Sequence, residues 1–229
     1  METACIIGPY VTAAPVWLPW VLWGNPWDEQ FWNILPHNEW ILFQSFNRIY
    51  IYNSEDNSVR FIESNGHLNK SFKVGERVFF HILRNGLYTI KNGESSLVSD
   101  ASIFQNEIVI DLFEIDTQMF VLTQNSGLYS LTQGVTSKSK IAADSILETS
   151  TIYNSEQLRN GNIAIGTISK GIFLISKAGE VIFQINQTKG LGNNTVLSLF
   201  EDSEGNIWAG LDNGIDCINV TAPYSSYVD

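Results

Sequence analysis

A short phrase built on glycine and an aliphatic residue recurs along the chain and limits what it can fold into. It reads Asn85-Gly86-Leu87-Tyr88, Ser126-Gly127-Leu128-Tyr129, Lys170-Gly171-Ile172-Phe173 and Asp212-Asn213-Gly214-Ile215, with a degenerate copy, Asn47-Arg48-Ile49-Tyr50, ahead of them. From Arg48 through Gly86, Gly127 and Gly171 to Gly214 the spacings are 38, 41, 44 and 43 residues. Each copy follows a strand-like run (WILFQSF, VFFHIL, MFVLT, NIAIGT, NIWAGL) and leads into a second one (IYIY, LYTI, LYSL, IFLI, IDCI). The clearest copy, residues 192–223, alternates apolar runs with the turn clusters EDSEGN and DNG, which is a meander of short strands. Such a unit cannot bury its own apolar face and needs neighbours like itself. A period near 40 with several short strands per repeat points to β-propeller blades rather than a helical solenoid. No stretch holds helical apolar spacing for long, so the fold class is all-β: a β-propeller with about five recognisable blades of four-stranded antiparallel meanders.

The blades are expected at 28–64, 65–100, 101–150, 151–191 and 192–220, with an exit linker at 221–229. Residues 1–27 differ from the rest. No charge lies between Glu2 and Asp28, and Pro9, Pro15, Pro19 and Pro26 are interspersed with Trp17, Trp20, Trp23 and Trp27. The prolines argue against an unbroken membrane helix, and Glu2 stands where a secretory signal wants positive charge. The segment reads as an irregular or atypical N-terminal stretch. Across the chain, 24 acids against 13 bases leave a net charge of −11, which repels phosphate backbones and argues against nucleic acid as a partner. Cys5 and Cys217 are far apart in no ligand-like spacing, so Cys217 reads as a buried strand residue rather than half of a bridge.

The fifth unit, NNTVLSLFEDSEGNIWAGLDNGIDCIN, resembles the two-component-regulator propeller repeat. Asn194, Val196, Leu199, Glu201, Asp202, Gly205, Ile207, Trp208, Gly210, Gly214 and Ile215 fit that pattern. Units two to four keep the glycine phrase without the tryptophan, and unit one lacks even the glycine. The resemblance implies the sensor domain of a bacterial membrane-spanning regulator. In that family the propeller is periplasmic and usually seven-bladed, so this chain is expected to be a fragment of such a ring or a propeller whose first blades are unrecognisable in the sequence. A β-sandwich, one membrane helix and a cytoplasmic output module follow: a histidine kinase in hybrid systems, or a LuxR-type helix-turn-helix, the branch that FWNILPHNEWILFQSFNRIYIY favours. Signalling then passes through downstream domains absent from this chain. The resemblance further implies a small ligand as partner, an oligosaccharide or another nutrient, a homodimeric full-length receptor, and contact with the membrane only through the downstream helix.

Residues 202–206 (DSEGN) have the oxygen alternation of a calcium loop but no bidentate acid at the right distance, so a glycine hairpin capped by Asp202 is expected. Gly205 and Trp208 match the glycine and tryptophan of the aspartate box of sialidase propellers, itself a turn motif. Residues 189–195 (KGLGNNT) lack the lysine and the helix of a phosphate loop and read as an inter-blade connection. His37, placed in a turn after Pro36, His67 and the mid-strand His81 share no metal spacing. Asp111, Glu114 and Asp116 form an acid cluster whose first two members would point to opposite strand faces, giving a solvated edge rather than a glycosidase pair. Trp27, Trp32 and Trp40 can stack on a sugar, though inter-blade packing is the commoner use of a strand tryptophan. No catalytic, cofactor or metal residue is assigned, and no ligand contact is named. The chain is expected to be non-enzymatic, the alternatives being a propeller-scaffold lyase or glycoside hydrolase, or a protein-docking propeller.

Overall fold

The computed structural model describes residues 30–220; the expectations for residues 1–27 and 221–229 fall outside that range. The first sheet holds β1 (Asn33–His37), β2 (Trp40–Gln44), β3 (Arg48–Asn53) and β4 (Val59–Glu63). The second holds β5 (Leu68–Val74), β6 (Arg77–Ile82), β7 (Gly86–Lys91) and β8 (Glu94–Ser99). The third holds β9 (Val109–Ile115), β10 (Gln118–Thr123), β11 (Leu128–Thr132) and β12 (Val135–Lys138). The fourth holds β13 (Ile152–Gln157), β14 (Ile163–Thr167), β15 (Ile172–Ile175) and β16 (Val181–Ile185). Among the described residues the fifth has three strands, β17 (Val196–Glu201), β18 (Asn206–Leu211) and β19 (Gly214–Asn219). Two single-turn helices, α1 (Ser102–Asn106) and α2 (Asp144–Glu148), precede β9 and β13.

Every sheet is an antiparallel meander in chain order, and the leading strands β1, β5, β9, β13 and β17 neighbour one another in succession. The sheets therefore stand around a common axis with their first strands innermost, the geometry of a β-propeller. The expected fold is the one observed.

Each apolar core is shared by two consecutive blades. Leu42 and Ile51 of the first blade meet Phe80 and Ile82 of the second. Phe79 and Leu87 of the second meet Leu112 and Val121 of the third, and Phe113 and Leu122 of the third meet Ile165 and Phe173 of the fourth. Ala164 and Leu174 of the fourth meet Ile207 and Ala209 of the fifth. Strand alternation makes this possible: successive residues face opposite neighbours, so each blade is apolar on both sides.

The outer faces of the end blades lack such cover among the described residues. Ile34, Phe43, Tyr50 and Phe61 align across the first sheet. Phe200, Trp208 and Cys217 align across the fifth, with Phe200 55% and Trp208 43% exposed. Cys217 is thus a free, exposed strand residue, contrary to the buried position expected, because it lies on the face no described blade covers.

The repeated glycine has a steric reason. Gly171 sits at φ 75°, and a Cβ there would lie 2.2 Å from the carbonyl oxygen of Ile185 on the outer strand β16. In the second blade a Cβ on Gly86 would likewise lie 2.8 Å from the Ser99 carbonyl oxygen, so in these two blades the turn between second and third strands passes under the end of the fourth, whereas at Gly127 the nearest atom is Lys138 Nζ at 2.7 Å. At Gly214, where no fourth strand is described, a Cβ would meet nothing within 4 Å.

Candidate functional site

Where the five inner strands converge, polar side chains replace the aliphatic ones, and they bond across blade boundaries at about one repeat of sequence separation. Asn33 donates from Nδ2 to the Ser71 carbonyl at 2.8 Å, and Ser71 Oγ donates to Gln44 Oε1 at 2.8 Å, joining blades one and two. Asn69 donates to the Val109 carbonyl at 2.6 Å and Lys70 Nζ to the Ile110 carbonyl at 3.2 Å, joining two and three. Ser155 Oγ donates to Asp111 Oδ2 at 2.6 Å across the next boundary. Arg159 then ties blade four to blade five: its backbone N–H donates to Glu201 Oε2 at 2.8 Å, and its guanidinium pairs with the same oxygen at 3.3 Å.

Three carboxylates mark this axial seam. Asp111 on β9, Glu156 on β13 and Glu201 on β17 lie 45 residues apart in sequence and occupy successive inner strands. Burial pushes the Asp111 carboxyl above its ordinary range, while Lys70 and the Ser155 hydroxyl pull it down. Glu156 is pushed up to about 7, first by burial and then by the neighbouring charge of Asp111; Glu201 adds to the rise, and Lys70 and a backbone hydrogen bond from Glu201 oppose it. Lys70 and Arg159 are the cations beside these carboxylates, Lys70 lowering Asp111 and Glu156 and Arg159 pairing with Glu201.

The solvated acid edge expected at Asp111 is not what the fold builds. Asp111 and Glu114 do face opposite sides of β9: Asp111 points at the fourth blade, while Glu114 is exposed and takes Arg77 of the second blade at 3.4 Å. Only Asp111 is drawn into the seam, because its side of the strand is packed against Ser155. The sequence signal that would have found Glu156 and Glu201 is their spacing of one and two periods from Asp111.

The histidines stay apart. His81 is fully buried; its Nε2 donates to the Phe104 carbonyl at 2.8 Å and its Nδ1 faces Asn69 Nδ2 at 3.4 Å, so it is a neutral tether between β6 and α1, and burial lowers its pKa. His67 packs on Phe46 with ring centroids 4.1 Å apart, and His37 is the last residue of β1 rather than a turn residue. No group of three or more potential metal ligands comes together among the described residues. Trp32 is exposed, Trp40 packs partly against the first inter-blade core, and Trp27 lies outside the described residues. Residues 202–206 form the expected turn, with Gly205 at φ 84° and Asp202 accepting from the N–H groups of Glu204 and Asn206 at 2.9 Å each.

Comparison with known proteins bears on this frame. The profile of the family described as two component regulator propeller matches residues 190–213, the entry into the fifth blade. No curated protein matches the chain. Among solved structures, the extracellular domain of the hybrid two component system BT3049 from B. thetaiotaomicron is similar with a TM-score of 0.67 at 14% identity, over 86% of this chain and 28% of that one. The extracellular domain of BT4673 from the same organism, described as a one component system, gives 0.63 at 17% identity over 82% and 27%. Virginiamycin B lyase from Staphylococcus aureus gives 0.62 at 12% identity over 82% and 69%. The chain thus spans little more than a quarter of the regulator domains it matches. At these identities the likeness is one of fold, and the repeat at 190–213 is what ties the sequence to regulator propellers.

Proposed function

We propose that this chain is part of the extracytoplasmic, ligand-sensing propeller of a bacterial transmembrane regulator, non-catalytic in itself and signalling through domains beyond it. The observation that carries the reading is the two component regulator propeller repeat at residues 190–213, set in a fold shared with the extracellular domains of two such regulators. The architecture suits the task. Rigid blades present loops and inner-strand side chains around one axis, and a ligand that bridges two blades favours one inter-blade arrangement over another. Binding then acts as a population shift, passed on through a homodimeric receptor whose membrane helix lies elsewhere in the protein. The ligand is a small periplasmic nutrient, an oligosaccharide or another compound of that size.

Titration of the purified chain with oligosaccharides, amino acids and short peptides by calorimetry, alongside product analysis, tests this. Binding heat without turnover supports the sensor. Turnover of any of these compounds overturns it in favour of a propeller enzyme, a class represented among the structural neighbours by the lyase.

A further inference from the structure

On the side of the propeller that carries the hairpins between first and second strands, the first two blades part to leave a cleft of about 560 Å³. Its volume is within the range of small-molecule sites. Its floor is aliphatic: Leu42 and Ile51 from the first blade, Val78 and Ile90 from the second. These belong to or pack on the core shared by the two blades, so an apolar group entering the cleft continues that core.

The rim is charged and its charges are sorted by position. Glu39 and Glu76 lie on the hairpins β1–β2 and β5–β6, next to the axis. Arg60 is on β4, the outermost strand of the first blade, beside the β7–β8 hairpin of the second; a Cβ on Gly93 there would lie 3.5 Å from its Nη1. The Arg60 side chain makes no hydrogen bond or ion pair with the described residues; its field adds to the Ser58 hydrogen bonds that lower the Asp56 pKa. His37, also a lining residue, holds a buried Nδ1 with no hydrogen-bond partner, a state that buried polar atoms rarely keep. With strands ~4.8 Å apart, β4 lies roughly 12 Å across the sheet from the β1–β2 hairpin, and Arg60 stands level with Leu42, three residues in from Glu39. An extended tripeptide covers about 10 Å.

We propose that this cleft binds a short peptide with free termini and an apolar side chain. Its ammonium group lies toward Glu39 and Glu76, its carboxylate on Arg60, and its side chain on the aliphatic floor. A neutral oligosaccharide satisfies neither the separated charges nor the floor. The inference rests on the sensor reading, since it supplies the ligand class of that sensor.

The test titrates the whole chain, isotope-labelled for NMR, with Ala-Leu-Ala, its N-acetylated form, its C-amidated form and maltotriose, and repeats the series on R60Q and E76Q, both exposed and checked for unchanged melting. The free tripeptide is expected to shift resonances of the cleft residues, and each capped form to bind at least tenfold more weakly. R60Q is expected to weaken the free peptide tenfold and leave the C-amidated form unchanged; E76Q does the same for the N-acetylated form. Equal affinity for capped and free peptides, shifts that map away from the cleft, or no peptide binding overturns the site. Maltotriose binding elsewhere, with no peptide binding, sinks the cleft and leaves the sensor standing; hydrolysis of the peptide sinks the sensor and leaves the cleft as a binding site.

Discussion

Trp208 donates its indole N–H to Oδ2 of Asp202 at 2.8 Å, across the hairpin that joins β17 to β18. The same oxygen accepts from Asn206 Nδ2 at 3.0 Å, and Oδ1 accepts the backbone N–H groups of Glu204 and Asn206. One carboxylate therefore organises the turn, with Gly205 at positive φ closing it. This gives the acid, glycine and tryptophan of the fifth repeat a common physical role, and units without the tryptophan turn by other means.

The Asp202 carboxyl is lowered to about 2, chiefly by the Trp208 and Asn206 hydrogen bonds. Its unfolded value is higher, so its contribution is present above about pH 4 and lost as pH falls through 2. Asp202→Asn is expected to flatten that part of the acid limb of a melting-temperature profile, and Trp208→Phe to narrow it. An unchanged acid limb in Asp202→Asn would show that the turn does not depend on the charge.

Glu156 behaves in the opposite sense. Its folded pKa of about 7 exceeds the ordinary 4.5, so its contribution is full below pH 4.5 and is lost as pH rises through 7. After discounting for partial exposure, the loss is on the order of 1–2 kcal/mol. Glu156→Gln removes this dependence and makes the protein more stable than wild type at pH 8. Urea midpoints at pH 5 and pH 8 measure both effects, and equal wild-type midpoints in a variant-insensitive profile contradict the assignment.

Phe80 is fully buried between the first two blades, its ring stacked on Tyr88 at 5.5 Å. Phe80→Ala leaves a cavity in a core that two blades share and is expected to cost roughly 3–5 kcal/mol. Denaturant titration reads this directly; a cost under about 1 kcal/mol is incompatible with close inter-blade packing.

Gly171→Ala and Gly214→Ala form a matched pair. The first places a Cβ against the Ile185 carbonyl at positive φ and is expected to cost more than about 2 kcal/mol. The second meets open space and is expected to stay within about 0.5 kcal/mol of wild type. If the two cost the same, the fourth strand is not what demands the glycine.

Strand periodicity, turn residues and the recurring glycine phrase are local signals, and they made the blades legible along the chain. Alternation told which strand residues face a neighbouring blade, so Asp111 and Glu114 were separable by face. The alternation carries no record of what the neighbour presents there. Asp111 meets Ser155, 44 residues on, whereas Glu114 meets Arg77, 37 residues back. Cys217 erred for the same reason: a strand residue is buried or exposed according to whether a blade stands over it.

By itself the sequence determined a repeating meander, because two-residue alternation and glycine turns act within a few residues. Only the tertiary structure decided that Lys70, Asp111, Glu156 and Glu201 share one axis and that Arg60 faces Glu39 and Glu76 along a cleft. Those relations arise from stacking units about 40 residues apart, and burial and charge depend on distance in space rather than along the chain.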